Sequence, residues 1–257
     1  MSILKKLVLG AVIAIAAAGV AEAKEWKKVR IGTEGAYPPF NFFDADKQLQ
    51  GFDIDVAKAL CEKMAVECEF VAQDWDGIIP ALLANKYDAI IASMSITDER
   101  RQQVDFTNKY YSSPIAFMVQ KGKIADVTAA GLTGKAVGAQ SSTVSANFVE
   151  DNYKGSNVKL YPTQEEANLD LASGRLDAIA VDKLVGYEWL TSTDDGKCCE
   201  FVGEDVMDEK YVGEGIGIAI RKDDSDLRDM FNKAIDDIRA DGTYEKINTK
   251  YFPFSIF

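Results

Sequence analysis

The sequence predicts an α/β protein made of two small lobes that face each other across a cleft, and three observations carry the prediction. Residues 88–101 read as a short apolar strand, a hydroxyl-rich loop and the start of a helix. The stretch from Leu169 to Asp182 can be laid over Ala81 to Ser93, since both hold a helix end, a basic turn, Asp-Ala-Ile and a strand. Residues Lys135 to Thr143 repeat the strand, glycine and polar loop of residues 29–35. The alternative to a repeat is coincidence, because short α/β units share Asp-Ala-Ile-like runs readily.

The first element is the N-terminal segment. Lys5 and Lys6 precede an apolar run from Leu7 to Val20, and Ala21-Glu22-Ala23 follows before a charged stretch. These are the three parts of a secretory signal peptide, with cleavage expected after Ala23. A retained anchor is the alternative, but the run is shorter than the roughly 18 to 20 residues that a spanning helix needs. The segment 1–23 is therefore expected to be removed, leaving an exported protein in the periplasm.

From Val29 a short β run breaks at Gly35 and Pro38-Pro39, which places Glu34 and Tyr37 just past a strand end. Asn41 to Gln50 reads as a hairpin. The next helix carries Val56, Leu60 and Met64 on one face and acids at its start, so Asp53 and Asp55 read as helix-start acids before catalytic ones. Cys68 to Ala72 forms a strand and Gln73 to Gly77 the loop after it. There Trp75 is either an anchor folded onto the core or a stacking platform. A helix from Ile78 to Asn85 leads into residues 88–101, with Thr97 as N-cap candidate.

Such a strand-to-helix junction favours an anion, because free backbone N–H groups and the helix dipole both point at it. Arg100, whose planar fork suits a carboxylate, makes the stretch a candidate carboxylate receptor. The plain alternative is an ordinary turn with Arg100 in solvent.

Beyond Arg101 the chain crosses to a second unit through residues 112–114, occupies it over 115–206, and returns through a glycine-rich crossing at 207–215. Residues 24–111 and 216–257 then share the first lobe. The last long helix, from about Asp226 to Ala240, buries Leu227, Phe231, Ala234 and Ile238. The repeat puts Asp182 where Ser93 sits, and Ser142 or Thr143 near where Glu34 sits. Strand ends carrying Glu34, Tyr37, Trp75, Ser93 and Ser95 thus face strand ends carrying Ser142, Thr143 and Asp182, which makes a cleft for a small ligand.

Composition narrows the function. With 41 acids against 29 bases and a net charge of −12, nucleic acid and anionic membrane are poor partners. A hydrophobic content of 47% supports a proper core rather than disorder. The chain has no histidine, so no Ser-His or Cys-His pair exists. A metal site is not expected, because closely spaced thiolates and carboxylates would have to replace histidine. In an exported protein Cys61 and Cys68 read as a disulfide, with two buried thiols as the alternative. The adjacent Cys198 and Cys199 are reduced, bridged to each other with strain, or bridged to another molecule.

Nearly the whole mature chain resembles a periplasmic polar-amino-acid-binding protein of an ABC importer, nearest the histidine and lysine/arginine/ornithine group of solute-binding protein family 3. The resemblance is carried by Gly32-Thr33-Glu34-Gly35-Ala36-Tyr37-Pro38-Pro39-Phe40, Gly51-Phe52-Asp53-Ile54-Asp55-Val56 and Asp88-Ala89-Ile90 through Arg100. Gly215 to Arg221 and Ala240 to Tyr244 also match. It implies a type II periplasmic-binding-protein fold, two Rossmann-like lobes joined by two hinge strands, with no cofactor. It further implies that Arg100 holds a ligand α-carboxylate with Ser95 and Thr143, and that Asp182 holds the α-ammonium. By the same resemblance Tyr37 and Trp75 sandwich the side chain, Glu34 faces its far end, and Cys61 is bridged to Cys68.

The sequence departs from this pattern at Glu34, where the cationic group usually has Asp, and at Ala92, which replaces a serine that helps bind the ligand's charged end. Val144 stands where some relatives have Gln, and Cys198-Cys199 has no counterpart. Glu34 and Ala92 also occur in opine-binding relatives.

The expected function is a monomeric binder of arginine, ornithine, lysine or histidine that closes on its ligand and meets an inner-membrane permease. A glutamine or opine binder is the alternative, and a dehydratase on the same fold the rival class, which site chemistry rather than fold would have to support.

Overall fold

A computed structural model describes residues 25–257; the expected signal peptide and its cleavage point lie outside them. Two five-stranded sheets organise the chain. In the first, the order is Glu67–Ala72, Lys28–Thr33, Ala89–Ile90, Ala219–Ile220 and Asp105–Phe106. In the second it is Asn157–Tyr161, Ala136–Gln140, Ala178–Asp182, Ile115–Gln120 and Cys199–Val206. Each sheet has three parallel strands followed by an antiparallel one.

The repeat extends to atomic detail. In the first sheet Ile31 pairs with Ala89 and Gly32 with Ile90, and in the second Val137 pairs with Ala178 and Gly138 with Ile179. Asp88 accepts the N–H of Arg30 at 3.0 Å, and Asp177 accepts that of Ala136 at 2.8 Å. Both glycines leave room for the bulky residue before that aspartate. A Cβ at Gly32 would lie 2.5 Å from the Tyr87 ring, and one at Gly138 2.5 Å from Leu176 Cδ1.

Helices cover the sheets as the apolar periodicity requires. Phe52–Met64 buries Val56, Ala57 and Leu60, and ends at Ala65 in the left-handed conformation. Ser225–Ala240 buries Leu227, Phe231, Ala234, Ile235 and Ile238 against it. The hairpin expected over 41–50 forms from Asn41–Phe43 and Leu49–Gln50.

The two passages between sheets run side by side. Tyr110 donates its N–H to Ile216 O at 2.8 Å, and Ile216 donates to Tyr111 O at 2.9 Å. Gly213 is required there, because a Cβ on it would lie 1.9 Å from the carbonyl oxygen of Ile96. Cys61 is joined to Cys68, and of the three states open to Cys198 and Cys199 the structure has the bond between neighbours.

Candidate functional site

The site stands on the C-terminal ends of parallel strands from both sheets. Glu34 follows Lys28–Thr33, Trp75 opens a single 3₁₀ turn after Glu67–Ala72, and Ala92, Ser93 and Ser95 follow Ala89–Ile90. Thr97 caps the helix Asp98–Arg101, its Oγ1 accepting the Arg100 N–H at 3.3 Å. On the opposite side Asp182 ends its strand and caps the helix Lys183–Ser192.

Nine of the ten sequence-predicted residues line one cavity: Glu34, Tyr37, Trp75, Ala92, Ser93, Ser95, Arg100, Thr143 and Asp182. Ser142 is the exception and corrects the expectation. It lies at φ +56 on an adjacent groove, and its carbonyl, not its hydroxyl, is engaged. The reason is register. Counting from the matched glycines, two residues past Gly32 is Glu34 and two past Gly138 is Gln140, so Gln140 occupies the place expected for Ser142 or Thr143. Thr143 still reaches the cavity wall, as N-cap of the helix Val144–Asn152.

Among the described residues, no ion pair joins the charges in the cavity to an opposite charge. Arg100 Nη1 donates to Ser95 O at 3.1 Å and Nη2 to Ser142 O at 3.4 Å; among the described residues no carboxylate pairs with it. Its guanidinium lies 5.3 Å from the Trp75 ring centroid, and burial lowers its pKa to about 10. Glu34 accepts from Gln140 Nε2 at 2.6 Å on Oε1, and burial raises its pKa to about 7 against that bond.

Asp182 Oδ1 accepts from Ser113 Oγ at 2.6 Å and from the N–H groups of Leu184 and Val185. Burial outweighs these donors and raises its pKa to about 6. All three bonds fall on Oδ1, which leaves Oδ2 for a ligand donor. Such a set favours a molecule carrying both negative and positive groups, because a buried charge gains most from an opposite charge.

A third carboxylate lies beneath the floor. Asp53 sits in the first helical turn as the sequence suggests, yet it is fully buried and accepts from Tyr110, Asn41 and Ser93 at 2.7, 2.9 and 3.0 Å. Burial again raises its pKa, to about 6. Its bond to Ser93 holds that residue at φ +52, and Asn41 in turn accepts the Gly35 N–H beside Glu34. Trp75 proves to be both anchor and wall: it is buried, it lines the cavity, and its Nε1 donates to Ser142 O at 3.1 Å.

Sequence reasoning missed Gln140, Ser113 and Ser145 on the cavity wall. The spacing Ile31-Gly32-x-Glu34 against Val137-Gly138-x-Gln140 was the signal for the first.

Comparison with known proteins identifies the family. Residues 29–254 match the family of bacterial extracellular solute-binding proteins, family 3. The L-arginine-binding protein of Pseudomonas aeruginosa is 44% identical, the match covering 99% of each chain. The lysine/arginine/ornithine-binding periplasmic protein of Escherichia coli is 39% identical over 98% of this chain and 97% of its own. Among solved structures, an ancestral arginine-binding protein bound to arginine superposes with a TM-score of 0.81 at 40% identity, covering 88% of this chain and 98% of that one. Fold, cleft and relatives together place the chain among the bacterial extracellular solute-binding proteins, family 3, as a binder of solutes and not an enzyme.

Proposed function

We propose that the protein captures a free cationic L-amino acid, arginine before lysine or ornithine, and delivers it to an ABC importer. The observation that carries this is the charge set of the cavity. Among the described residues no carboxylate is hydrogen-bonded to Arg100 and no cation to Glu34 or Asp182. A cationic amino acid supplies one carboxylate and two cations, so each partner is met. Arg100 takes the α-carboxylate, Asp182 the α-ammonium, and Glu34 the side-chain cation between Tyr37 and Trp75. The relatives named for arginine and for lysine, arginine and ornithine support the same class. The reading extends to the periplasm as compartment, reached by cleavage after Ala23, and to a permease that recognises the closed form.

One observation favours a second ligand. Glu34 already accepts from a neutral amide, that of Gln140, so the amide of glutamine meets the same requirement. Thermal-shift screening of the free amino acids and opines followed by calorimetry tests both. A tight ligand raises the melting temperature in step with its saturation. Arginine giving the largest shift supports the proposal; glutamine or an opine giving the largest shift, with none for arginine, overturns it.

A further inference from the structure

Three consecutive residues of the second lobe each hold a different part of the first. Gln140 Nε2 donates to Glu34 Oε1 at 2.6 Å, and Ser141 Oγ donates to the two oxygens of Asp76 at 2.9 and 3.0 Å. The Ser142 carbonyl accepts from Trp75 Nε1 at 3.1 Å and from Arg100 Nη2 at 3.4 Å. Thr143 then braces the loop, donating to Gln140 O at 2.7 Å and accepting from Ala146 N at 3.1 Å.

Two features separate this loop from ordinary ligand contacts. Ser141, Ser142 and Asp76 do not line the amino-acid cavity, so the Ser141–Asp76 contact lies wholly outside it, and Ser142 meets Trp75 and Arg100 through its backbone from behind the cavity wall. Ser142 also stands at φ +56, where a side chain with a Cβ is disfavoured. In that conformation its carbonyl meets Trp75 and Arg100. Once the lobes part, both donors leave and nothing across the cleft holds the residue there.

We propose that residues 140–143 form a latch of the closed state, with Ser142 as the positioning residue that sets how long closure lasts, whichever amino acid is held. The proposal rests on the clamp described above and adds a term to it. Ligand identity is read inside the cavity, whereas the lifetime of the closed form is set in part outside it. Strain at Ser142 weakens the latch and keeps the ligand releasable, while Ser141 and Asp76 strengthen it.

Stopped-flow tryptophan fluorescence with L-arginine and with L-lysine tests this on the full mature chain. Ser142→Gly removes the strain and is expected to slow dissociation by about three- to tenfold. Ser141→Ala is expected to speed it by about two- to fivefold, the scale of an exposed hydrogen bond to a charge. Each factor is the same for both ligands, and association rates stay unchanged. Unchanged dissociation in Ser142→Gly, or factors that differ between arginine and lysine, overturns the latch. If the wild-type protein binds neither amino acid, the proposed function fails instead. Small-angle X-ray scattering of the ligand-free forms then decides the latch: a smaller radius for Ser142→Gly supports it, and equal radii overturn it.

Discussion

Glu34 and Gln140 occupy matching places in the two halves of the chain and meet across the cleft, with Gln140 Nε2 2.6 Å from Glu34 Oε1. Each lies two residues beyond the glycine that pairs with the Ile of Asp-Ala-Ile. The internal repeat has thus brought one carboxylate and one amide to the same point from opposite sides. The amide satisfies one carboxylate oxygen and leaves the charge without a counter-charge. A ligand cation therefore gains more from Glu34 than a neutral donor does, since attraction between opposite charges is added to the hydrogen bond.

Replacing that charge should change the ranking of ligands. Glu34→Gln keeps the shape and can still accept from Gln140, so folding is expected to be preserved. Calorimetry at pH 8 should show arginine binding weakened by about 10- to 100-fold, matching the loss of roughly 1.5–3 kcal/mol for a bond to a charged group. L-Glutamine should change by less than about threefold. An equal loss for both ligands would remove Glu34 as the selector.

Arg100 should behave in the opposite way, affecting every amino acid alike. Its guanidinium hydrogen-bonds only to carbonyls among the described residues, and burial depresses its pKa to about 10. Arg100→Ala should cost all ligands about 2–5 kcal/mol, the scale for removing one member of a desolvated charge pair. Arg100→Lys should recover only part, because a point charge cannot engage a carboxylate with two parallel bonds. The ligand-free melting temperature of Arg100→Ala should be no lower than that of the parent, since an uncompensated cation has been removed from the cleft.

Acid should separate stability from binding. Glu34, Asp53 and Asp182 have folded-state pKa values of about 7, 6 and 6, above their ordinary carboxylate values. Between pH 5 and 7.5 the folded protein therefore binds more protons at these groups than the unfolded chain. Their contribution to stability is fully present below the ordinary carboxylate pKa near 4 and is lost progressively as pH rises from there through 6 to 7. Binding runs the other way, because a ligand cation requires Glu34 and Asp182 deprotonated. Differential scanning fluorimetry should show the ligand-free protein at its more stable near pH 5, with a shift from arginine that grows towards pH 7.5. Calorimetry near pH 6 in buffers of different ionisation enthalpy should show protons released on binding. No proton release there would mean that the two cleft acids are already ionised before the ligand arrives.

What could be read from the sequence follows from how each signal is encoded. The repeat was legible because Asp88-Ala89-Ile90 and Asp177-Ala178-Ile179 are identical and stand at the entry to a buried strand, where a backbone N–H has to be met. Arg100 was singled out by its strand-to-helix junction and Asp182 by laying the second half over the first, and both line the cavity. The register of the loop after Gly138 was not, because three hydroxyl residues in a row suggest a polar wall more strongly than a single Gln does. Only the pairing of Gly138 with Ile179 decides between them. The burial of Asp53 was hidden for another reason. An acid in a first helical turn usually faces water and the dipole, and nothing local announces that Asn41, Ser93 and Tyr110, distant in sequence, converge on it.

The matched glycines give a test of the repeat that is independent of any ligand. A methyl at Gly32 would meet three atoms of the Tyr87 ring at 2.5 to 2.7 Å, and that ring is held by the bond from its hydroxyl to Ile78 O. A methyl at Gly138 would meet Leu176 Cδ1 at 2.5 Å and Ile179 Cγ2 at 3.2 Å. A flat, anchored ring cannot move aside as the end of a leucine can. Gly32→Ala should therefore cost about 1–3 kcal/mol, the usual range for overpacking. Gly138→Ala should cost less, because the end of Leu176 can shift where the Tyr87 ring cannot, while the lower entropy of the unfolded chain returns about 0.4–1 kcal/mol to both variants. Leu176→Ala alone should destabilise by leaving a cavity, and combined with Gly138→Ala it should lose less than the sum, as the new methyl enters the space that the leucine vacated. Denaturant midpoints of the four forms measure that coupling. Additive losses would mean that Gly138 and Leu176 do not touch, and that the second lobe does not reproduce the packing of Gly32 against Tyr87.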